Sequence, residues 1–139
     1  IILMVQYEVA RRIVATNKSK NKEFGLLSIL CNFNCDTEFL KEVLAKSFMP
    51  KPKVNSGIVK ITPSLEKKYQ VKNLKTFRKI TRAAFQSRRK TLRNSLLIAG
   101  FDKNIIETTL DKLGWDTNIR AEKLSIDDFC KLSDSMTEC

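Results

Sequence analysis

The side chains of this sequence that could act on another molecule are mostly cations. Between Val43 and Phe101 stand fifteen Lys or Arg residues and one acid, Glu66, a local net of +14. Residues 1–42 hold six bases against five acids, and residues 102–139 hold five against nine, so the flanks nearly cancel and the chain of 139 residues carries +11. Charge concentrated in one block, rather than spread for solubility, is the footprint of a polyanion site. Two strings stand out inside the block: Ser47-Phe-Met-Pro-Lys-Pro-Lys-Val-Asn-Ser56 and Phe85-Gln-Ser-Arg-Arg-Lys-Thr-Leu-Arg-Asn94.

In the first string Phe48 precedes Pro50 and Pro52, which stiffen the segment into an extended connector. The residues by themselves favour a core anchor beside a Pro-rich bend; the other reading is a ring on which an unpaired base stacks. Lys51 and Lys53 flank Pro52, and phosphate contact or plain solvation describes them equally well. Asn55 and Ser56 are expected to satisfy backbone groups at the turn into the next strand. In the second string Arg88, Arg89, Lys90 and Arg93 are the main candidates for a phosphate backbone, because a guanidinium fork matches phosphate oxygens two at a time. Phe85 and Leu92, seven apart, read as core.

Histidine is absent, which removes Ser-His-Asp and Cys-His catalysis and His-based metal sites. Cys31, Cys35, Cys130 and Cys139 do not form two close pairs, so reduced thiols are expected rather than a metal site, with Cys31 and Cys35 on one face of a strand. A hydrophobic content of 42% with 29% charged residues is ordinary for a globular chain. No apolar run approaches the roughly 20 residues that cross a bilayer, and Ile1–Val5 is short and lacks the basic leader of a signal peptide. The sequence opens inside an apolar run and without Met, which suggests a piece of a longer protein.

The elements that must position these residues follow from periodicity. Ile1–Val5 reads as a buried strand and Tyr7–Thr16 as a short helix with Val9, Ala10 and Ile13 inward. Residues 16–22 read as an exposed loop. In Leu26–Cys35 the residues Leu27, Ile29, Cys31 and Phe33 alternate with others, which predicts a strand. Thr37–Val43 fits a helical turn as well as an extended run. Gly57–Ile61 reads as a strand closed by Pro63, and residues 64–72 as a charged linker and domain boundary. From Asn73 the period is helical. Leu74, Phe77, Ile80, Thr81, Ala84, Phe85 and Leu92 share one arc; Lys75, Arg78, Lys79, Arg82, Arg89, Lys90 and Arg93 share the opposite one, as far as the helix continues through Ser87. An ordinary solvated face would mix acids among the bases. Asp102 predicts a cap for Lys103–Leu113, which Gly114 stops. Ser125 and Asp128 predict a capping box opening Ile126–Met136, with Phe129 and Leu132 inward. Trp115 reads as a packing residue.

Five strings in order resemble the C-terminal portion of the small-subunit ribosomal RNA adenine dimethyltransferases, relatives of the erythromycin-resistance rRNA methyltransferases. They are the two above, Leu3-Met-Val-Gln-Tyr-Glu-Val-Ala-Arg-Arg12, Phe24-Gly-Leu-Leu-Ser-Ile29, and Arg120-Ala-Glu-Lys-Leu-Ser125 with Phe129. The resemblance implies an α/β + α architecture. Residues 1–63 would be the C-terminal part of an S-adenosylmethionine-dependent, Rossmann-like methyltransferase sheet, 64–72 a linker, and 73–139 a small all-helical RNA-binding domain. It implies that the parent transfers methyl groups from S-adenosylmethionine to adenosines of small-subunit rRNA during ribosome biogenesis. The family's Gly-rich turn and Asn-Leu-Pro-Tyr loop have no counterpart here, so the cofactor would be bound upstream and these residues alone would be inactive. Phe48 occupies the position that faces the target base in the family. Lys51, Lys53, Lys75, Arg78, Lys79, Arg82, Arg88, Arg89, Lys90 and Arg93 would bind RNA, and neither a metal nor a membrane is implied. Gln6 and Glu8 fall at a strand end of positional interest, without a catalytic role. A cytoplasmic setting is expected, or a nucleolar or mitochondrial one in a eukaryote. The other readings are a non-catalytic RNA- or DNA-binding module or mitochondrial transcription factor on the same scaffold, and the large-subunit branch, against which the Phe85–Asn94 string speaks.

Overall fold

In the computed structural model of the chain, β-pairing centres on a strand with a glycine as its second residue. The structure describes residues 1–20 and 22–138; Cys139, and the thiol expectation made for it, lies outside them. The chain divides into two compact units, Ile1–Lys68 and a second starting at Tyr69. The first contains β1 (Ile2–Gln6), α1 (Tyr7–Val14), α2 (Leu26–Asn32), β2 (Cys35–Val43), a 3-10 turn over Ala45–Ser47, and β3 (Ser56–Pro63). The sheet order is β1-β3-β2, and both neighbours run antiparallel to β3. β1 and β2 are therefore parallel to each other. They are joined by the helical crossover that parallel strands require, and the last strand slots between them.

Alternation explains β3. Gly57 and Val59 are buried and Ile61 is half-buried, while Lys60 is exposed. Val59 is fully buried in a core with Ala10 and Ile13 of α1, against which Val5, Phe39 and Ile61 also pack. A Cβ at Gly57 would stand 2.5 Å from the Ala10 Cβ and 2.9 Å from Phe39 Cε2. Glycine is thus required by close approach and not by backbone angle. Opposite, β2 carries a bulge: Phe39 faces Val59 but Lys41 faces Ile58, so Leu40 is the extra residue.

Three expectations are overturned in this unit. The strand at the start of the chain is not buried: β1 lies at the sheet edge, and Ile2, Leu3 and Met4 are 66%, 41% and 55% exposed. Leu26–Cys35 is not one strand. Leu26–Asn32 is the helix α2, and Cys35 begins β2. The alternation of apolar residues was outweighed by polar tethers that only a helix can place. The buried Ser28 hydroxyl donates to the Arg12 carbonyl (2.6 Å) and accepts from the Gly25 N–H (3.1 Å) at the helix start. Asn32 Nδ2 donates to the carbonyls of Ile13 (2.7 Å) and Ser28 (2.8 Å). Ile29 and Phe33, four apart, fill the core instead of lining a strand face. It follows that Cys31 and Cys35 do not share a strand face. Thr37–Val43, undecided from its pattern, is strand.

The second unit contains α3 (Leu74–Ala84), α4 (Leu92–Ile98), α5 (Lys103–Leu113), a 3-10 turn over Ala121–Lys123, and α6 (Ile126–Glu138). α3 packs on α4 and α6, and α5 packs on the same two, which closes a ring of four helices. Phe77, Ile80, Leu92, Leu96, Leu110 and Phe129 are each at most 1% exposed. Local chemistry fixes the ends. Asn73 Oδ1 accepts from the Thr76 N–H, and Asp102 Oδ1 from the Ile105 N–H, both at 3.0 Å. Gly114 closes α5 in the left-handed conformation, at φ 70°. Ser125 and Asp128 form the reciprocal capping box, at 3.0 and 3.1 Å.

The helix beginning at Leu74 does not run on through Ser87, as the two-arc reading required. It ends at Ala84; Phe85 leaves helical geometry and packs on Phe129, ring centroids 5.6 Å apart. Thr91 then caps α4 by accepting from the Asn94 N–H (3.2 Å). A Thr competent to cap, inside a string without acids, was the signal that a helix restarts.

Lys72, ahead of α3, and Lys112 of α5 both reach the Glu138 carboxylate at the end of α6, Lys112 at 3.0 Å. Bonding to Lys72 and then Lys112 holds that carboxyl down at about 2, from an ordinary 4.5. A carboxyl depressed on folding adds stability that is complete above its unfolded value and disappears as pH falls through the folded one. We expect Glu138→Gln to flatten the pH dependence of stability between 4.5 and about 2, followed by fluorescence of Trp115, the single tryptophan; the effect is small because the pair is exposed. Gly57→Ala should destabilise the first unit by about 1–3 kcal/mol through overpacking against Ala10 and Phe39, read as a lower urea midpoint with an unchanged slope.

Candidate nucleic-acid interface

Phe48 sits on the segment between the 3-10 turn and β3, half-buried, next to a Met49 that is 99% exposed. It is neither a sealed core residue nor a free one. The segment is clamped at its base by Asn55. Asn55 Oδ1 accepts from the Ala45 N–H (2.9 Å), its Nδ2 donates to Glu42 Oε1 (2.8 Å), and its carbonyl accepts from the Tyr7 N–H (2.9 Å). One residue, through its side-chain amide and its backbone carbonyl, thus joins the two ends of the loop to the start of α1, and the backbone-satisfying role read for Asn55 is what it performs. Behind it, Tyr7 meets Phe39 edge to face at 5.9 Å, and the Arg11 guanidinium lies over the same ring at 5.4 Å. The loop therefore projects from a stiff base. Lys51 and Lys53 are exposed on it.

The other candidate residues lie in the second unit. Lys75, Arg78, Lys79 and Arg82 follow the i, i+3, i+4, i+7 spacing of one helix stripe on α3, and all four are exposed. Phe77, Ile80, Thr81 and Ala84 fill the buried side. Lys79 also places its ammonium 4.7 Å from the centre of the Phe101 ring. Arg88, Arg89 and Lys90 are exposed on the turn between α3 and α4 rather than on a helix face. Arg93 differs from the rest. It is half-buried on α4 and grips Glu107 of α5, Nε at 3.1 Å and Nη2 at 2.5 Å from Oε1. The Arg93 hydrogen bond is the main reason that the Glu107 carboxyl lies below its ordinary range. Arg93 thus fastens α4 to α5, a pairing across helices that spacing along one helix could not disclose.

Among the described residues no group of three or more His, Cys, Asp or Glu is placed to hold a metal. No helix among them is long and apolar enough to cross a membrane. Burial, with some help from Cys35, raises the Cys31 thiol, and burial pushes the Cys130 thiol up to about 12. Both therefore stay protonated at neutral pH and are poor nucleophiles. The arrangement offers cation display and one constrained ring.

Comparison with known proteins gives the same class. The family model described as ribosomal RNA adenine dimethylase matches residues 1–138. A protein of Clostridium botulinum named ribosomal RNA small subunit methyltransferase A is 42% identical over 132 residues, 95% of this chain and 47% of the relative. One of the same name from Halothermothrix orenii is 42% identical over 138 residues, 97% of this chain and 45% of the relative. The crystal structure of a dimethyladenosine transferase from Plasmodium falciparum superposes with a TM-score of 0.74 at 26% identity, covering 94% of this chain and 54% of that one. The 23S rRNA methyltransferase ErmE shares the fold, with a TM-score of 0.62 at 19% identity, over 98% of this chain and 54% of that one. The chain belongs to the ribosomal RNA adenine dimethylase family. It spans about half the length of the curated relatives it matches.

Proposed function

We propose that the whole protein to which these residues belong dimethylates adenosines of small-subunit ribosomal RNA, with S-adenosylmethionine as methyl donor, in the cytoplasm. The family match over residues 1–138 carries this reading. In it, the three-stranded sheet is the end of a larger methyltransferase sheet, and the helical unit is an RNA-binding domain. The character of β1 supports the first part: Ile2 and Met4, on the face away from α1, are 66% and 55% exposed, as strand residues awaiting a neighbour would be.

The residues present do not fit the cofactor. The strand-to-helix junction at Gln6–Tyr7 has no glycine, and its Tyr7 N–H is already bonded to the Asn55 carbonyl, so the first backbone donor of the helix is not offered to a ligand there. We therefore place cofactor binding outside these residues and assign them two tasks. Phe48, on its clamped loop, stacks on the extruded target adenine and offsets the cost of unpairing. Lys51, Lys53, Lys75, Arg78, Lys79, Arg82, Arg88, Arg89 and Lys90 take phosphates. Arg93, expected among them, instead holds the surface that displays them. Methyl transfer is a displacement that depends on alignment more than on a proton donor, which suits a chain without histidine.

The test is transfer of labelled methyl groups from S-adenosylmethionine to unmodified small ribosomal subunits by the whole protein, with label expected on adenine. Binding without label would mark a non-catalytic module and refute the proposal. In the same assay Phe48→Ala should lower turnover by roughly tenfold to a hundredfold, the worth of one stacked base, and RNA affinity by much less; equal losses would contradict base positioning. Affinity measured between about 50 and 200 mM salt should fall steeply. Replacing Arg82 and Arg89 by Ala should flatten the log–log slope by about 1.5, the share of two phosphate contacts. Arg93→Ala should leave the slope unchanged, and a slope change equal to that of the other two would return Arg93 to the phosphate contacts.

A further inference from the structure

The helical unit contains a cavity of about 150 Å³ lined by Ala83, Gln86, Ser87, Lys90, Ser95 and Ile98. It lies between the end of α3, the turn that follows and α4. Ala83 and Ile98 give it apolar wall. Ser95 is 4% exposed, and its hydroxyl has no hydrogen-bond partner among the described residues. Thr109 and Ser133 also bury unpartnered hydroxyls, but neither lines this cavity. A buried hydroxyl without a partner is a standing deficit that a ligand with a polar edge would remove. Lys90, also lining the cavity, is exposed to solvent. From Lys67 to Phe101 the sequence holds no acid.

Apolar wall, one unsatisfied hydroxyl and an ammonium at the rim are the complement of a nucleotide: a flat ring with polar edge atoms, tethered to a phosphate. A hollow of about 150 Å³ has room for one benzene-sized ring, and a pyrimidine is such a ring. We propose that this cavity receives a single unstacked pyrimidine of the bound RNA, its edge on Ser95 and Gln86 and its phosphate on Lys90. The proposal rests on the RNA-binding reading above and adds a base contact on the helical unit, separate from the target adenine.

The test uses the whole protein and two ten-nucleotide probes of equal charge, oligouridylate and an abasic ribose-phosphate chain. Wild type should bind the uridylate about tenfold more tightly, the worth of one well-held base. Ala83→Leu, which fills the cavity, should reduce that ratio below about threefold, and Ser95→Ala, which removes the hydroxyl without adding bulk, should reduce it in part. If Ala83→Leu fails to fold, Ser95→Ala and the crosslinking map decide. A 5-iodouridine version of the probe should crosslink on irradiation within residues 83–98. A ratio near one in wild type, a ratio that neither variant lowers, or crosslinks confined to the Phe48 loop would overturn the proposal. Label transfer to small subunits together with equal binding of both probes would reject the cavity while leaving the methyltransferase reading intact. Failure of both label transfer and all probe binding would reject the two together.

Discussion

The seat of α1 on β3 at Gly57 sets the geometry of the first unit. With Ala10 pressed onto bare backbone, the helix sits lower on the sheet than any side chain at that position would allow. That depth puts Ala10 and Ile13 in contact with Val59 and brings Tyr7 and Arg11 within reach of the Phe39 ring. The same strand begins at Ser56, directly after Asn55, whose hydrogen bonds fix the base of the Phe48 loop to the start of α1. Loop, helix and strand are therefore a single mechanical piece. A loop anchored this way can hold a ring in a defined direction with little entropic loss on binding.

In the second unit the corresponding constraint is closure of the four-helix ring. Each helix has two neighbours and the ends are settled by local caps, so the four cations of α3 lie off its buried side, with Lys79 also resting over the Phe101 ring. The clasp of Arg93 on Glu107 adds a cross-helix strap beside the cationic turn. One arginine of the basic string thus serves the scaffold while its neighbours face outward.

What could be read from the sequence was what is decided within a few residues. Asp102, Gly114 and the Ser125–Asp128 pair announced their helix ends because capping is a contact between near neighbours. The α1 and β3 patterns were legible because each buries one regular face. Leu26–Cys35 misled because its alternation is accidental. Gly25 is a weak start signal, and the deciding contacts, from Ser28 and Asn32 to the carbonyls of Arg12 and Ile13, span 16 and 19 residues. Thr37–Val43 became a strand through pairing with β3, bulge included, and no window of its own residues holds that information. The same limit hid the Arg93–Glu107 clasp, and a hollow such as the one beside Ser95 has no sequence signature. The family resemblance supplied what periodicity could not, a reason to look at Phe48 as something other than core.

The exposed stripe of α3 has a cost for the protein when it is alone. Lys75, Arg78, Lys79 and Arg82 stand three or four residues apart with no acid between them, and Arg88, Arg89 and Lys90 follow on the next turn. Like charges at that spacing push against one another and weaken the helix that carries them. Dissolved ions then act in two opposed senses: they ease the internal repulsion and so firm up the free fold, while they compete with any polyanionic partner. Part of what such a partner gains on docking is the release of a tension already present in the unbound molecule, so the helix should be most firmly wound when its charge is covered.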